Sequence, residues 1–344
     1  SGPIIKDHLF FYGLGQIRDN ESRSASITGG SLAVDKTDSP FFGIKLDGLI
    51  TDRQRLEFTL FDTTRETRRD SYSYSNATGK DVIGSTIVDQ TKFQAGGKSY
   101  VGKYTGTFTD WLTVSAAYGV TKDRDNVIPK LATASYVADV RSGTSKRISQ
   151  QTSGSNDFPQ NTKREFFRGD ADLYFKLLGD HHIRTGYEEE KLSLQHITSR
   201  TGGKAVFIRK GSARDTRGVA AGQDYVEFNY YKTGGLFEGN NKAMYVQDSW
   251  DINNRLTVNL GVRRDQFSNK NAAGATFVEF NNEIAPRVGV TYDVLGDKTT
   301  KVYANYGRYY LPVAANTTYR QGAAELYFKE FYNAPAGGFV IDAI

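Results

Sequence analysis

Alternation is the strongest pattern in this chain. From Phe42 through Ile44, Leu46, Gly48 and Ile50 every second position is apolar or small, and Gly43, Lys45 and Asp47 lie between them. After Thr51-Asp52-Arg53-Gln54 the alternation restarts, with Leu56, Phe58 and Leu60 against Glu57 and Thr59. A period of two sends neighbouring side chains to opposite faces of a strand. A short polar break between two such runs predicts a hairpin. The unit recurs. Tyr100 to Phe108 turns at Thr109-Asp110 into Leu112, Val114, Ala116, Tyr118 and Val120. Phe167, Gly169, Ala171, Leu173 and Phe175 alternate with Arg168, Asp170, Asp172 and Lys176, then turn at Gly179-Asp180 into Ile183, Thr185 and Tyr187. Ala243 to Trp250 turns at Asn253-Asn254 into Leu256, Val258, Leu260 and Val262. Pro286, Val288, Val290 and Tyr292 turn at Gly296-Asp297 into Val302, Ala304 and Tyr306.

With a first strand near His8 to Asp19, the pattern predicts about eleven strands, all antiparallel. Their connections alternate in length. Short turns fall near 51–54, 109–111, 178–181, 252–255 and 295–299, and long polar segments near 20–40, 66–98, 123–163, 197–241 and 268–283. Short turns at one end and long loops at the other predict an all-β, antiparallel transmembrane β-barrel, with periplasmic turns and extracellular loops. A soluble sandwich would give more even spacing and would cover its apolar faces with a second layer. Two stretches break the rule. At Glu188 to Leu194 the apolar positions change parity, which predicts a bulge or emergence above the membrane. Met244-Tyr245-Val246 is apolar on both faces and leaves its lipid side open.

Composition agrees with strands. The 344 residues include 21 Tyr, 21 Phe, 35 Gly and only 7 Pro, a strand-forming balance. The mean hydropathy of −0.52 suits a spanning strand, because only alternate residues face lipid. No run of roughly 20 apolar residues offers a membrane helix. Ser1-Gly2-Pro3 does not open a signal peptide, so the chain is expected to begin inside a structure. The absence of cysteine excludes a disulfide framework and a thiolate metal site. A net charge of +5 chooses neither an anionic lipid surface nor nucleic acid.

Candidate chemistry is sparse. Lys45, Asp47, Glu57, Arg168, Asp170, Asp172, Arg263 and Arg287 fall on the polar side of the alternation, so they are expected to face a barrel lumen. An Arg or Lys turned to lipid at the midplane would cost about 2–4 kcal/mol. Tyr12, Trp111, Tyr118, Trp250, Tyr309 and Tyr310 sit at strand ends and are expected in the interfacial aromatic girdles. His181-His182 is weighed as a metal pair against a solvated turn. Adjacent strand residues point apart, so no metal is expected. Glu188-Glu189-Glu190 reads as a charged strand end. Asp123-Arg124-Asp125-Asn126 lacks the Gly and Glu of a calcium loop. Arg200, Lys204, Arg209, Lys210, Arg214 and Arg217 form a basic loop stretch, either solvated or set against lipopolysaccharide. No compact basic element with stacking aromatics supports nucleic-acid binding. Catalytic signatures such as Gly-x-Ser-x-Gly, His-Glu-x-x-His and the phosphate loop are missing, so no enzyme and no cofactor is expected.

Three segments resemble a known family. Gly2-Pro3-Ile4-Ile5-Lys6-Asp7-His8-Leu9-Phe10-Phe11-Tyr12 is similar to the barrel opening of Oar-like TonB-dependent receptors, with Ser1 where Gly is usual. Tyr245-Val246-Gln247-Asp248-Ser249-Trp250 with Asn254-Arg255-Leu256-Thr257 and Leu260-Gly261-Val262-Arg263 resembles the best-known hairpin of these barrels. Ala285-Pro286-Arg287-Val288-Gly289-Val290 with Lys301 to Arg308 resembles the next one. The likeness implies a barrel of about 22 strands filled by an N-terminal plug. It implies a bacterial outer-membrane location, a periplasmic TonB partner reached through a box before the plug, and uptake of a siderophore, peptide or saccharide by a monomer surrounded by lipid and lipopolysaccharide. Residues 1–344 would then be a partial barrel domain, with plug, TonB box and later strands outside it. An Oar-like adhesion or secretion-associated barrel, and less so an outer-membrane enzyme, are the alternatives. An odd strand count supports a partial barrel, because closing first on last would need a parallel pair. The sheet is therefore expected to be an open half-barrel, with no ladder between the strands near residues 12 and 305.

Overall fold

The computed structural model describes residues 1–26, 30–76, 78–213 and 219–334, except the side chain of Ala315. β1 (Gly2–Ile5) folds back on β2 (Leu9–Gln16) through a turn in which Asp7 has a φ of 63°. β3 (Asn20–Ser26) and β4 (Ser31–Thr37) form a separate hairpin, and β2 pairs instead with β5 (Phe41–Thr51). β5 turns into β6 (Gln54–Asp62). β7 (Arg65–Ser75) pairs with β4 and with the first part of β8 (Val82–Thr109), whose last part pairs with β6. β9 (Leu112–Pro129) returns beside β8. After two short strands, β10 (Tyr136–Asp139) and β11 (Lys146–Arg147), β12 (Ser155–Lys176) pairs with β9 and β13 (Asp180–Arg200). β14 (Ala205–Lys210) precedes β15 (Asp224–Asn253), β16 (Leu256–Lys270), β17 (Thr276–Asp293) and β18 (Lys301–Gly307). One helix, α1 (Ala315–Gly322), leads into β19 (Ala324–Asn333), which returns to the start of β15.

Eleven of these strands, the staves, pair in succession as antiparallel neighbours: β2, β5, β6, β8, β9, β12, β13, β15, β16, β17 and β18. Among the described residues β18 pairs with β17 alone, and no ladder joins it to β2. The sheet is open, as the strand count requires.

Register shows why the alternation is so regular. Directly opposed residues in a ladder point to the same side. One face carries Phe11, Leu46, Phe58, Gly102, Tyr118 and Phe167 in an unbroken cross-strand row. Val246, Val262, Leu260 and Val288 continue that face across β15 to β17. Phe58 is 40% exposed, Phe167 43%, Leu260 43% and Val288 44%, so no second protein layer covers this band. That decides against a sandwich. The buried apolar cluster of Val137, Val206 and Val226 lies far from the band, among the long connections.

One expectation needs correction, and one open alternative is decided. The long polar segments contain much strand. β8 has 28 residues and β15 has 30. At roughly 3.3 Å per residue each runs about 90–100 Å, several times an apolar band of about 25 Å. The predicted 268–283 loop is in fact the paired ends of β16 and β17 around a short turn. Beyond the band the apolar residues serve small local contacts, such as the Val226 cluster and Phe237 under α1, so pairing continues without the long regular alternation of the band. The parity change at Glu188 to Leu194 contains no bulge either, since both ladders of β13 run through it without a shift. Leu194 opposes Phe237 there, and Phe237 is covered by Tyr319 of α1. The change of parity marks the strand leaving the band and packing under the helix.

Candidate functional site

The face opposite the apolar band carries charge in two groups. In the first, Lys45 lies 3.3 Å from Asp47 and 3.4 Å from Glu57. Arg55 lies 2.8 Å from Asp47 and 3.2 Å from Glu57, and Lys103 reaches Glu57 at 3.7 Å. Cross-strand pairing of Asp47 with Glu57 and of Glu57 with Lys103 sets the cluster. Like-charged Asp47 and Glu57 can stand side by side because three cations surround them.

The second group spans β12 to β17 and is centred on Asp170, whose side chain is 6% exposed. Arg168 Nε donates to it at 2.8 Å, Arg184 approaches to 3.3 Å and the Tyr245 hydroxyl donates to its other oxygen. Arg168 also donates to the Tyr245 hydroxyl at 3.1 Å and lies 3.5 Å from Glu188. Arg263 joins Glu188 at 2.9 Å to Asp265 at 2.8 Å. Asp172 accepts from His182 Nε2 at 2.8 Å. Of the eight charged residues predicted for this face, Lys45, Asp47 and Glu57 share one cluster, Arg168, Asp170, Asp172 and Arg263 share the other, and Arg287 stands beside the second without an ion pair among the described residues. Sequence reading missed Arg55, Lys103, Arg184, Tyr245 and Asp265. Strand parity alone would have found all but Tyr245, whose stretch is apolar on both faces.

Gly186 makes room for this node. A Cβ there would lie 2.6 Å from Asp170 Oδ1 and 2.7 Å from the Tyr245 hydroxyl. Gly186→Ala is expected to lower stability by about 1–3 kcal/mol, as overpacking does, and urea unfolding of the lipid-embedded protein would show it. Gly13→Ala, where nothing lies within 4 Å, serves as the neutral comparison.

Three grooves of about 500, 210 and 520 Å³ open on this face, and Arg287 borders all three. The segment after β18 covers part of the 500 Å³ groove. There Tyr309, Tyr310 and Pro312 face Arg164, Arg168 and Arg263. The segment is pinned further on, where Asn269 donates to the Val313 carbonyl at 3.1 Å and to the Thr318 hydroxyl at 3.0 Å. Tyr319 stacks on His196 with 4.2 Å between ring centres.

The aromatic residues divide. Tyr118 and Trp250 lie on the apolar face, opposite Phe167 and Val258, and Trp111 is exposed at a short turn. Tyr12, expected in a girdle, pairs with Lys45 on the polar face. Tyr309 and Tyr310 also turn to the polar face, where the Tyr309 ring lies 4.6 Å from the Arg287 guanidinium. Strand-end position alone could not distinguish the faces. His181 takes a place on the apolar face unforeseen in the sequence. It stacks between Phe175 and Trp250 at 5.0 and 5.1 Å and bonds Asp248 at 2.7 Å. His182 stacks on Tyr174 on the other side, so the two imidazoles diverge. Asp123 to Asn126 belong to β9, where neighbouring side chains point to opposite faces and do not wrap around an ion as a loop would. Glu188 and Glu190 pair with Arg168 and Arg164, while Glu189 turns to Tyr187.

The long-connection end is a folded extension. β10 pairs in parallel with β14, β14 pairs with β15, and β15 pairs with β19. Its basic residues are tied into it. Arg200 donates to Asn229, Lys204 sits 3.9 Å over Phe228, Arg209 lies 2.6 Å from Glu227 and Lys210 lies 4.0 Å from Asp224. Arg214 and Arg217 fall outside the described residues. Arg141 bridges Asp139 and Asp224 at 2.7 Å each. Its hydrogen bonds hold the Asp139 carboxyl down to about 2. A depressed carboxyl stabilises above its unfolded value of about 3.9 and loses that contribution as pH falls. Protection of the β10 and β11 amides, measured against their intrinsic exchange rates, is therefore expected to fall between about pH 4 and pH 2, and Asp139→Asn to show the lower protection already at neutral pH.

A family model described as TonB dependent receptor-like, beta-barrel matches residues 37–341. The chain is 30% identical over 157 residues to the TonB-dependent transporter Oar of Myxococcus xanthus, a stretch that covers 42% of this chain and 15% of that relative. Among solved structures it is similar to the outer membrane transporter YddB of Escherichia coli, at 14% identity and a TM-score of 0.48, over 88% of this chain and 38% of that one. It is also similar to the ferric-catecholate import receptor Fiu of Escherichia coli K12, at 11% identity and a TM-score of 0.46, over 89% and 50%. The family is one of receptors and transporters of the Gram-negative outer membrane, and the match spans most of the sequence. The chain belongs to the TonB-dependent receptor β-barrel family.

Proposed function

We propose that these residues form part of the barrel wall of an outer-membrane receptor that takes up a scarce ligand, with energy delivered through a periplasmic TonB partner. The chain spans a small part of its curated relative, so plug and further strands belong to a longer protein on this reading. The observation that carries it is the division of one sheet into an uncovered apolar band and a charged face. Lipid accounts for the first, and a wet lumen filled by a plug accounts for the second. The short turns are then periplasmic and the folded extension is extracellular, beside lipopolysaccharide. The ligand class is a siderophore, peptide or saccharide, the receptor acts as a monomer, and it carries out no catalysis. The folded extension gives the Oar-like adhesion reading its support, because it is more elaborate than a tether between strands.

Medium depletion followed by mass spectrometry tests the choice. Cells bearing the full-length receptor are compared with cells lacking it and with cells lacking TonB. A solute whose removal requires both supports uptake. If no such solute appears and loss of the receptor instead weakens surface attachment, the adhesion reading replaces it.

A further inference from the structure

Arg287 differs from every other arginine of the second cluster. Arg168, Arg184 and Arg263 each have a carboxylate within 3.5 Å. Arg287 has none among the described residues, and its Nε, like that of Arg184, is buried without a hydrogen-bond partner. Its cross-strand neighbours are Gly261 and Gly307, which leave space around the side chain. Gly307 also allows Tyr309 to fold inward, since a Cβ there would stand 3.0 Å from the Tyr309 ring. The ring holds the guanidinium by its face, 4.6 Å away. A guanidinium stacked on one face keeps its edge of N–H donors for a planar bidentate acceptor. The place where three grooves meet is where such an acceptor would arrive.

We propose that Arg287 is a carboxylate-binding post on the lumen wall, with the Tyr309 ring as its back and the donor edge of its guanidinium as the receiving side. The proposal rests on the reading of the charged face as a lumen wall. A carboxylate fits better than a neutral carbonyl because this guanidinium has no counter-charge, and a charge-assisted fork on its two Nη groups supplies the charge and two acceptors together. The group has two possible sources, an Asp or Glu side chain of the domain that fills the barrel, or a carboxylated solute in transit.

The test uses the full-length receptor in lipid nanodiscs, as wild type, R287Q and R287K. Two quantities are read: the equilibrium constant for urea release of the barrel-filling domain, followed by proteolysis, and citrate affinity by calorimetry. R287Q should weaken one of them by at least about tenfold, the loss expected for a hydrogen bond to a charged group. R287K, which keeps the charge and loses the fork, should recover only part. An effect on release alone places the carboxylate in the protein, and an effect on citrate alone places it in the solute. Agreement of all three proteins within about twofold on both readouts overturns the proposal. A fluorophore attached to the thiol of an R287C variant separates this from failure of the underlying reading. Quenching by nitroxide-labelled lipid would show that the position faces the bilayer and that the lumen assignment itself is wrong.

Discussion

Val288→Arg should destabilise the folded barrel by about 2–4 kcal/mol, and Asn259→Arg by less than about 1 kcal/mol. The residues stand on adjacent strands, one register step apart. Val288 opposes Leu260 and Tyr306 on the apolar band, near the middle of the alternating stretch of β17. An arginine there must either carry its charge into hydrocarbon or bend its stem toward a headgroup. Asn259 opposes Ser249 and Gly289 on the polar face, where a cation meets water and carboxylates. Reversible urea unfolding of the full-length receptor in vesicles would measure both. Equal losses would mean that the two faces do not differ in solvent.

Removal of Asp170 should have the second large effect. Asp170→Ala should cost about 1.5–3 kcal/mol, the range for losing charged hydrogen bonds to a buried carboxylate, because Arg168 and Arg184 are themselves 42% and 35% exposed and keep part of their hydration. Arg168 and Arg184 lose their shared counter-charge and Tyr245 loses its acceptor. Asp170→Asn keeps an acceptor for one donor and should cost less. Lys45→Ala is the contrast. Its side chain also makes two ion pairs, but it is 37% exposed against 6% for Asp170, so about 1 kcal/mol or less is expected. The same unfolding assay ranks the three variants. A ranking led by Lys45 would show that burial does not set the energetics of this wall.

The staves were legible because lipid imposes a pattern. Wherever a strand faces hydrocarbon, every second residue must be apolar, and Phe42 to Leu60 and Leu256 to Val262 display this directly. The polar partners of the pattern, Lys45 through Arg287, follow from parity without further information. What lay beyond the bilayer was not legible. Val82 to Asp89 and Asp224 to Asn241 are strands paired above the band, where a short run such as Val226-Glu227-Phe228-Asn229-Tyr230 alternates over a local cluster and does not continue the pattern of the band. Parallel pairing of β10 with β14 brings together Tyr136 and Ala205, which are distant in sequence and carry no local signal. The aromatic residues failed for a different reason. Tyr12, Tyr309 and Tyr310 are amphipathic enough for either face, and only the cross-strand partners of Tyr12 and the inward path of the segment after β18 decide. His181 was hidden likewise, since a histidine at a turn looks solvated until Phe175 and Trp250 are placed on either side of it.

If one sheet separates lipid from a wet interior, cysteine scanning along β16 shows it most directly. These 344 residues have no cysteine of their own, so once any cysteine elsewhere in the receptor is replaced by serine each introduced thiol is unambiguous. Positions 257 to 262 of the full-length receptor would be labelled singly with a small fluorophore in vesicles, then read for quenching by nitroxide-labelled lipid and by aqueous iodide. Strong lipid quenching at 258, 260 and 262, with iodide quenching at 257, 259 and 261, is the expected result. Lipid quenching without alternation, or alternation of the opposite phase, would contradict it.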